Sequence, residues 1–214
     1  MLSVRSESPV PDAAIARVGT AIDIPRNGTI YRQTDPADSV YYVERGLVRL
    51  GIASSDGRHA VVALLGAGSF LGECCLDGRP LRKNEASALL DTRVVCIPRE
   101  NVLRLLHNDP PFAEQFALDL VRRIARAEED IADLHLHSIE KRLARALLLV
   151  AGITDENGEQ TALAAINHQT LAEIVGTTRP RVSHFLGKFR REGYVTGRVQ
   201  LRVNSKLARV LLNG

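Results

Sequence analysis

The sequence predicts an α+β chain in three parts: an N-terminal antiparallel β-roll of jelly-roll type, one long helix, and a small helical unit ending in a β-ribbon. Three observations predict it. Between about Ala21 and Pro98, short runs of alternating apolar and polar residues are broken repeatedly by turn residues. From Ala113 to Leu134 apolar residues recur at alternating steps of four and three. From His168 to Gly187 two helical patterns flank a single glycine.

Met1 to Val18 is mixed and proline-containing, with a short helix predicted over Asp12–Val18. In the roll, Asn27-Gly28, Asp35-Pro36, Arg45-Gly46, Asp56-Gly57 and Gly66-Ala-Gly68 are turn signals. They separate strands such as Val40–Val43, Leu47–Ile52 and Val61–Leu65. Regular turns between short strands give an antiparallel roll. A short helix (ENVLRLLHND) ends at Pro110-Pro111, where the long one begins.

In the long helix, Ala113, Ala117, Leu120, Ile124, Ala127, Ile131 and Leu134 span three heptads of a two-helix seam. Phe112, Phe116 and Val121 form an adjoining stripe, expected to pack on the chain's own roll. A helix packed only within its domain needs no such regular spacing, and the alanines allow a second helix to pass closely. A parallel homodimer is therefore expected. His135 and His137, two apart on a helix, share no face and read as exposed hinge residues rather than metal ligands.

Ser138 caps the next predicted helix, which turns Leu143, Leu147 and Val150 inward, and TDENGEQT is a polar, turn-rich hairpin region. In the glycine-linked pair, Leu171, Ala172 and Val175 form one apolar edge. Gly176 supplies a left-handed turn without steric cost. Thr177 or Thr178 caps the second helix, with Pro180 in its first turn. Val182, Phe185, Leu186 and Phe189 face inward, whereas Arg179, Arg181, His184 and Lys188 point elsewhere. YVTGRVQLRV reads as two short strands around Thr196-Gly197-Arg198, and Asn204 or Ser205 caps a last helix, KLARVLLN. The C-terminal part is thus a winged helix-turn-helix. The expected domains are 1–110 (β-roll), 111–137 (dimerisation helix and hinge) and 138–214 (winged helix).

A charged outer face on a helical hairpin is commonly just a solvated one. Here a small residue, a glycine turn, the apolar spacing and an unopposed basic face agree, which is the pattern of a DNA-reading element. Charge supports this. From Ser138 onward there are 12 Lys+Arg against 6 Asp+Glu, so +6, while the remainder holds 16 against 19, so −3. A chain of 214 residues with 45% hydrophobic content suits two domains. No apolar run approaches the ~20 residues that span a bilayer, and the N-terminus lacks a signal pattern, so no membrane partner is expected. Cys74, Cys75 and Cys96 have no metal-ligand spacing, and their odd number suits a reducing cytoplasm. No phosphate loop, nucleophile elbow or carboxylate pair points to an enzyme.

NGTIYRQTDPADSVYYVERGLVRL followed by GSFLGE resembles the cyclic-nucleotide-binding β-roll. Together with the helix-turn-helix it resembles the CRP/FNR family of bacterial transcription regulators, over roughly Gly19 to the C-terminus. The resemblance implies a homodimer on an inverted-repeat operator in double-stranded DNA, with half-sites about 10–10.5 bp apart, and contact with RNA polymerase. It places Arg179, Pro180 and His184 at base edges, with Arg181 beside them toward the backbone. Where the best-known members carry glutamate and arginine, this chain has Pro180 and His184, so its half-site is expected to differ. Gln169, Thr170, Ser183 and Lys188 are the expected phosphate contacts.

The resemblance also implies an effector site. Gly72-Glu73 matches the pair that holds the ribose of cyclic AMP. Ten residues on, where Arg-Ser would grip the phosphate, stand Lys83-Asn84. Ala127-Glu128 replaces the hydroxyl pair that contacts adenine. Lysine lacks the planar fork of arginine, so cyclic AMP is not expected, and Gly72 and Glu73 are then a structural turn and a carboxylate with a buried partner. An iron–sulfur cluster wants N-terminal cysteines that Met1–Gly19 lacks. Haem is not expected either: Cys75 falls near a thiolate position of the carbon-monoxide-sensing branch, but Asp77 stands where a histidine would help. Cys74-Cys75 is a redox sensor if exposed with lowered pKa, and otherwise small core packing. A roll that stays empty, in a constitutively active dimer, fits equally. The rival function is a cyclic-nucleotide-binding module that does not read DNA, which leaves Arg179, Arg181 and Lys188 unexplained.

Overall fold

The structure is a computed structural model describing residues 12–57, 59–151, 161–162, 166–197 and 201–212. The expectations for the first eleven residues, for Arg198 and for most of TDENGEQT lie outside the described residues. No helix among the described residues is long and apolar enough to cross a membrane.

After helix α1 (Asp12–Val18), eight strands build the roll: β1 (Thr20–Ile24), β2 (Thr29–Tyr31), β3 (Ser39–Arg45), β4 (Leu47–Ala53), β5 (His59–Gly66), β6 (Phe70–Leu71), β7 (Glu85–Ala88) and β8 (Thr92–Pro98). They pair antiparallel in two four-stranded sheets, ordered β1-β8-β3-β6 and β2-β7-β4-β5. Turn chemistry sets the corners. Asn27 and Gly46 both have positive φ, and a Cβ on Gly46 would stand 2.4 Å from Thr92 Oγ1, so the tight β3–β4 corner requires glycine.

Helix α2 (Arg99–Asn108) and the long α3 (Pro110–Leu136) follow. The sequence reads Phe112 and Phe116 toward the roll, and both are buried in its core with Val40, Tyr42, Phe70 and Ile97. Phe70 meets the two rings edge-on, centroids 5.7 and 4.9 Å away, an arrangement favoured by the ring quadrupoles. Phe112→Ala is expected to cost about 3–5 kcal/mol of stability, read as a lower urea midpoint. A loss under 1 kcal/mol would mean that the helix is not part of the core.

The same face of α3 seals a strand edge. The buried carboxylate of Asp119 accepts the Phe70 N–H at 3.0 Å, and Arg123 donates to the Phe70 carbonyl at 3.1 Å. Strand β6 ends its sheet, and an unpaired backbone group there would carry a desolvation cost. Burial raises the Asp119 pKa against the opposing pull of that N–H and Arg123.

Two assignments on α3 exchange places. Leu120, read as seam, is partly buried against the roll core. Val121, read as packing on the roll, is 61% exposed, beside Ile124 at 60%, Ile131 at 56% and Leu134 at 54%. Phe112, Phe116, Asp119 and Arg123 fix which side of α3 meets the roll. Leu120, one residue past Asp119, shares that side and Val121 turns away.

The chain divides into two compact units that part within α3, between Ala127 and Glu128. In the second, α4 (Ile139–Val150) is capped by Ser138, whose hydroxyl accepts from the Lys141 N–H. Leu143 and Leu147 are buried, as read from the sequence, and Val150 is half-buried. Helices α5 (His168–Val175) and α6 (Arg179–Arg191) follow, with a three-stranded sheet of β9 (Thr161–Ala162), β10 (Val195–Thr196) and β11 (Arg202–Val203) in the order β10-β11-β9. The β10–β11 pair is the predicted wing. Strand β9 was not legible in the sequence. Asn204, not Ser205, caps the final turns, accepting from the Lys206 N–H, while Ser205 is buried. Those turns are a 3₁₀ stretch, Ser205–Ala208, leading into α7 (Arg209–Leu212).

Candidate nucleic-acid interface and effector site

Asn167 opens α5 by accepting the Thr170 N–H at 2.8 Å. Leu171, Ala172 and Val175 are buried against Val182, Leu186 and Phe189 of α6. Gly176, at φ +68° and ψ +48°, ends α5 in the left-handed conformation. Thr178 occupies the N-cap of α6 but makes no side-chain cap bond, and the buried Thr177 hydroxyl finds no partner among the described residues. The start of α6 is thus set by Pro180 and by packing more than by a threonine cap. Phe185, read as inward, is only half-buried and sits edge-on to His184 at 5.3 Å.

With its inner face fixed, the first half of α6 turns Arg179, Pro180, Arg181, Ser183 and His184 to solvent. Among the described residues no acid pairs with Arg179 or Arg181. Gln169 is exposed, its amide donating to Glu173 at 3.0 Å, and Thr170 is half-buried. Ser183 Oγ lies 2.8 Å from His168 Nδ1. Burial lowers the His168 pKa, as do the positive charges of Arg190 and Arg179. Lys188 stands apart from the expected phosphate set. Its ammonium lies 2.7 Å from the Glu140 carboxylate of α4, and that hydrogen bond raises its pKa. Side-chain direction on α6 carries Lys188 toward α4, a partner 48 residues away that spacing along α6 could not reveal.

Inside the roll, Gly72 takes φ +82° and opens a 3₁₀ turn over Glu73–Asp77. The cation beside it is Arg82, not Lys83. Arg82 is 2% exposed; it donates to the Gly72 carbonyl at 2.9 Å and to Ser39 Oγ at 3.1 Å, and lies 4.6 Å over the Tyr31 ring. Lys83 is exposed, and Asn84 accepts from the Tyr31 hydroxyl at 3.1 Å. The loop after Glu73 reaches its cation in nine residues rather than ten, so counting from the family pattern lands one residue late. Glu73 is ion-paired with Arg123 of α3. Ala127 and Glu128 are exposed.

Cys75 is buried, its thiol donating to the Ser39 carbonyl at 3.6 Å, and burial raises its pKa. Both run against thiolate reactivity or ligation. Cys74 and Cys96 are half-buried. No cluster of metal-ligating side chains occurs among the described residues.

Residues 21–109 match the cyclic nucleotide-binding domain family, and residues 141–212 match the Crp-like helix-turn-helix domain. Over 183 residues the chain is 33% identical to the cyclic AMP receptor protein of Thermus thermophilus, covering 83% of this chain and 82% of that one. The chain belongs to the CRP/FNR family of transcription regulators. It is 26% identical to the CRP-like cAMP-activated global transcriptional regulator of Mycobacterium tuberculosis, covering 86% of this chain and 83% of that one. A solved CRP/FNR-family regulator from Thermus thermophilus superposes with a TM-score of 0.76 at 26% identity, covering 91% of this chain and 99% of that one. This CRP/FNR regulator is thus a DNA-binding transcriptional regulator, with the α+β architecture read from its sequence.

Sequence reasoning missed four members of the roll interior: Tyr31, Arg82, Asp119 and Arg123. For two of them a signal was present. Phe112, Phe116, Asp119 and Arg123 follow one helical stripe, and a charged i, i+4 pair continuing an apolar stripe toward the core marks a buried role.

Proposed function

We propose that this CRP/FNR regulator pairs in parallel along the exposed stripe of α3 and reads an inverted repeat, one α6 in each of two successive major grooves about 10–10.5 bp apart. One observation carries the reading: the outward row of Arg179, Arg181 and His184 at the start of α6, with no acidic partner for either arginine among the described residues. Arg179 grips guanine through O6 and N7, Pro180 and His184 bound the readout, and Arg181 serves at the backbone edge. Gln169, Thr170 and Ser183 set register on phosphates. The dimer works in the cytoplasm as a regulator rather than a catalyst, and it contacts RNA polymerase. Its working parts are a roll over 1–110, a dimerisation helix and joint over 111–137, and a winged helix over 138–214.

A mobility shift against fragments selected from the host genome tests this. Preference for a symmetric site, with affinity falling steeply as salt rises, supports it. Equal affinity for all duplexes would sink it.

We further read the roll as active without cyclic AMP. Glu73 is committed to Arg123, and the α3 positions that would carry adenine-contacting hydroxyls are Ala127 and Glu128. The other reading rests on Arg82, a buried guanidinium whose Nε has no partner among the described residues. Cyclic AMP in excess is expected to leave the melting temperature unchanged. A ligand at 100 times its Kd would add about 2.7 kcal/mol, a shift of several degrees, and such a shift would overturn the effector-free reading.

A further inference from the structure

The joint between the long helix and the DNA-binding helices is closed by a side chain that neither the recognition helix nor the exposed seam explains. Helix α3 ends at Leu136 and α4 starts at Ile139, leaving His137 and Ser138 between them. The Asp133 carboxylate, 13% exposed, lies one turn before that link and is ion-paired with Arg145, halfway along α4. Its other oxygen faces His137 Nε2 at 3.5 Å. One acid thus holds the end of α3, the link, and the following helix. Beside it, Leu134 Cδ2 lies 3.5 Å from where a Cβ on Gly176 would stand, against the turn between α5 and α6. From α4, Glu140 in turn binds Lys188 on α6.

We propose that Asp133 is a positioning residue that fixes the α3–α4 joint, and that the Glu140–Lys188 pair passes that geometry to the recognition helix. The His137 N–H still bonds the Asp133 carbonyl at 3.1 Å, so the helix is interrupted at Ser138, whose extended backbone lets the two helices swing about it unless side chains hold them. A largely buried carboxylate ion-paired across the joint with Arg145 removes that freedom, because releasing Arg145 leaves its charge uncompensated. The consequence concerns spacing rather than base identity. Two α6 helices held on stiff joints accept only one separation of half-sites, whereas loose joints let each helix find its groove independently. Shared contacts alone do not establish coupling between sites, so the test must read spacing.

This inference rests on the dimeric DNA-reading proposal above. The experiment uses the full chain and inverted repeats whose half-sites are moved apart or together by one or two base pairs. The unaltered protein should lose about 100-fold in affinity on a two-base-pair change, roughly what losing the second half-site costs. Asp133→Ala should lose less than about 5-fold on that change, while its base preference at each half-site stays the same. Asp133→Arg combined with Arg145→Asp, which rebuilds the pair with reversed sign, should restore the spacing penalty. Should Asp133→Ala prove unfolded by thermal melting, Asp133→Asn and Lys188→Met carry the same comparison, both expected to relax spacing. Variants that keep the full spacing penalty would overturn the proposal. An unaltered protein that ignores every symmetric duplex would instead refute the dimeric reading beneath it.

Discussion

Ile124→Glu is expected to yield a folded monomer whose affinity for an inverted repeat is lower by about 10²–10⁴-fold, the contribution of making the second half-site contact intramolecular. Ile124 is exposed on α3 and is not among the described residues of the roll core, so the charge costs the fold of the roll little. In a two-helix seam it would bury two like charges opposite each other. Sedimentation and a urea melt check the two halves of the expectation. Val121→Glu should behave alike, because Val121 is exposed, whereas Leu120→Glu should destabilise the roll on which Leu120 packs. If Ile124→Glu remained dimeric and bound DNA normally, the apolar stripe would need another partner.

Arg179→Ala is expected to lose about 1–3 kcal/mol of discrimination, roughly 5–150-fold, at one base position in each half-site. Binding to other sequences should weaken far less. The reason is geometric: Arg179 is the first residue of α6, exposed and without an acidic partner among the described residues, so its fork is free to meet a purine edge. Gln169→Ala provides the contrast, a smaller loss spread evenly over all sequences. Selection of bound sites by each variant separates the two. Uniform weakening by Arg179→Ala would reduce that residue to a phosphate contact. Lys188→Ala does not serve as a phosphate contrast, because its ammonium is engaged with Glu140; its loss acts through the seating of α6 on α4.

Much of the candidate interface was legible from local pattern. Leu171, Ala172 and Val175 against Val182, Leu186 and Phe189 define the inner faces of α5 and α6, and all six are buried. Once those faces are known, the outward position of Arg179, Arg181 and His184 follows from helical geometry alone. The Gly176 turn and the Ser138 cap were equally local. The roll interior was less legible. Counting ten residues from Glu73 gave Lys83, while the chain buries Arg82, because a loop can shorten by a residue and still deliver its side chain to the same place.

The sequence alone determined the order of elements, the corners of the roll, the apolar character of the long helix, and the cationic start of the recognition helix. These depend on backbone preferences and side-chain periodicity within about one turn or one hairpin, which the chain states residue by residue. Only the tertiary structure decided that Val121 rather than Leu120 is exposed, that Arg123 closes on Glu73 from 50 positions away, and that Asp133 and Lys188 tie α4 to its neighbours. Those facts depend on how helices and strands distant in the chain are rotated against one another, and a one-residue change of facing swaps which side chain meets water.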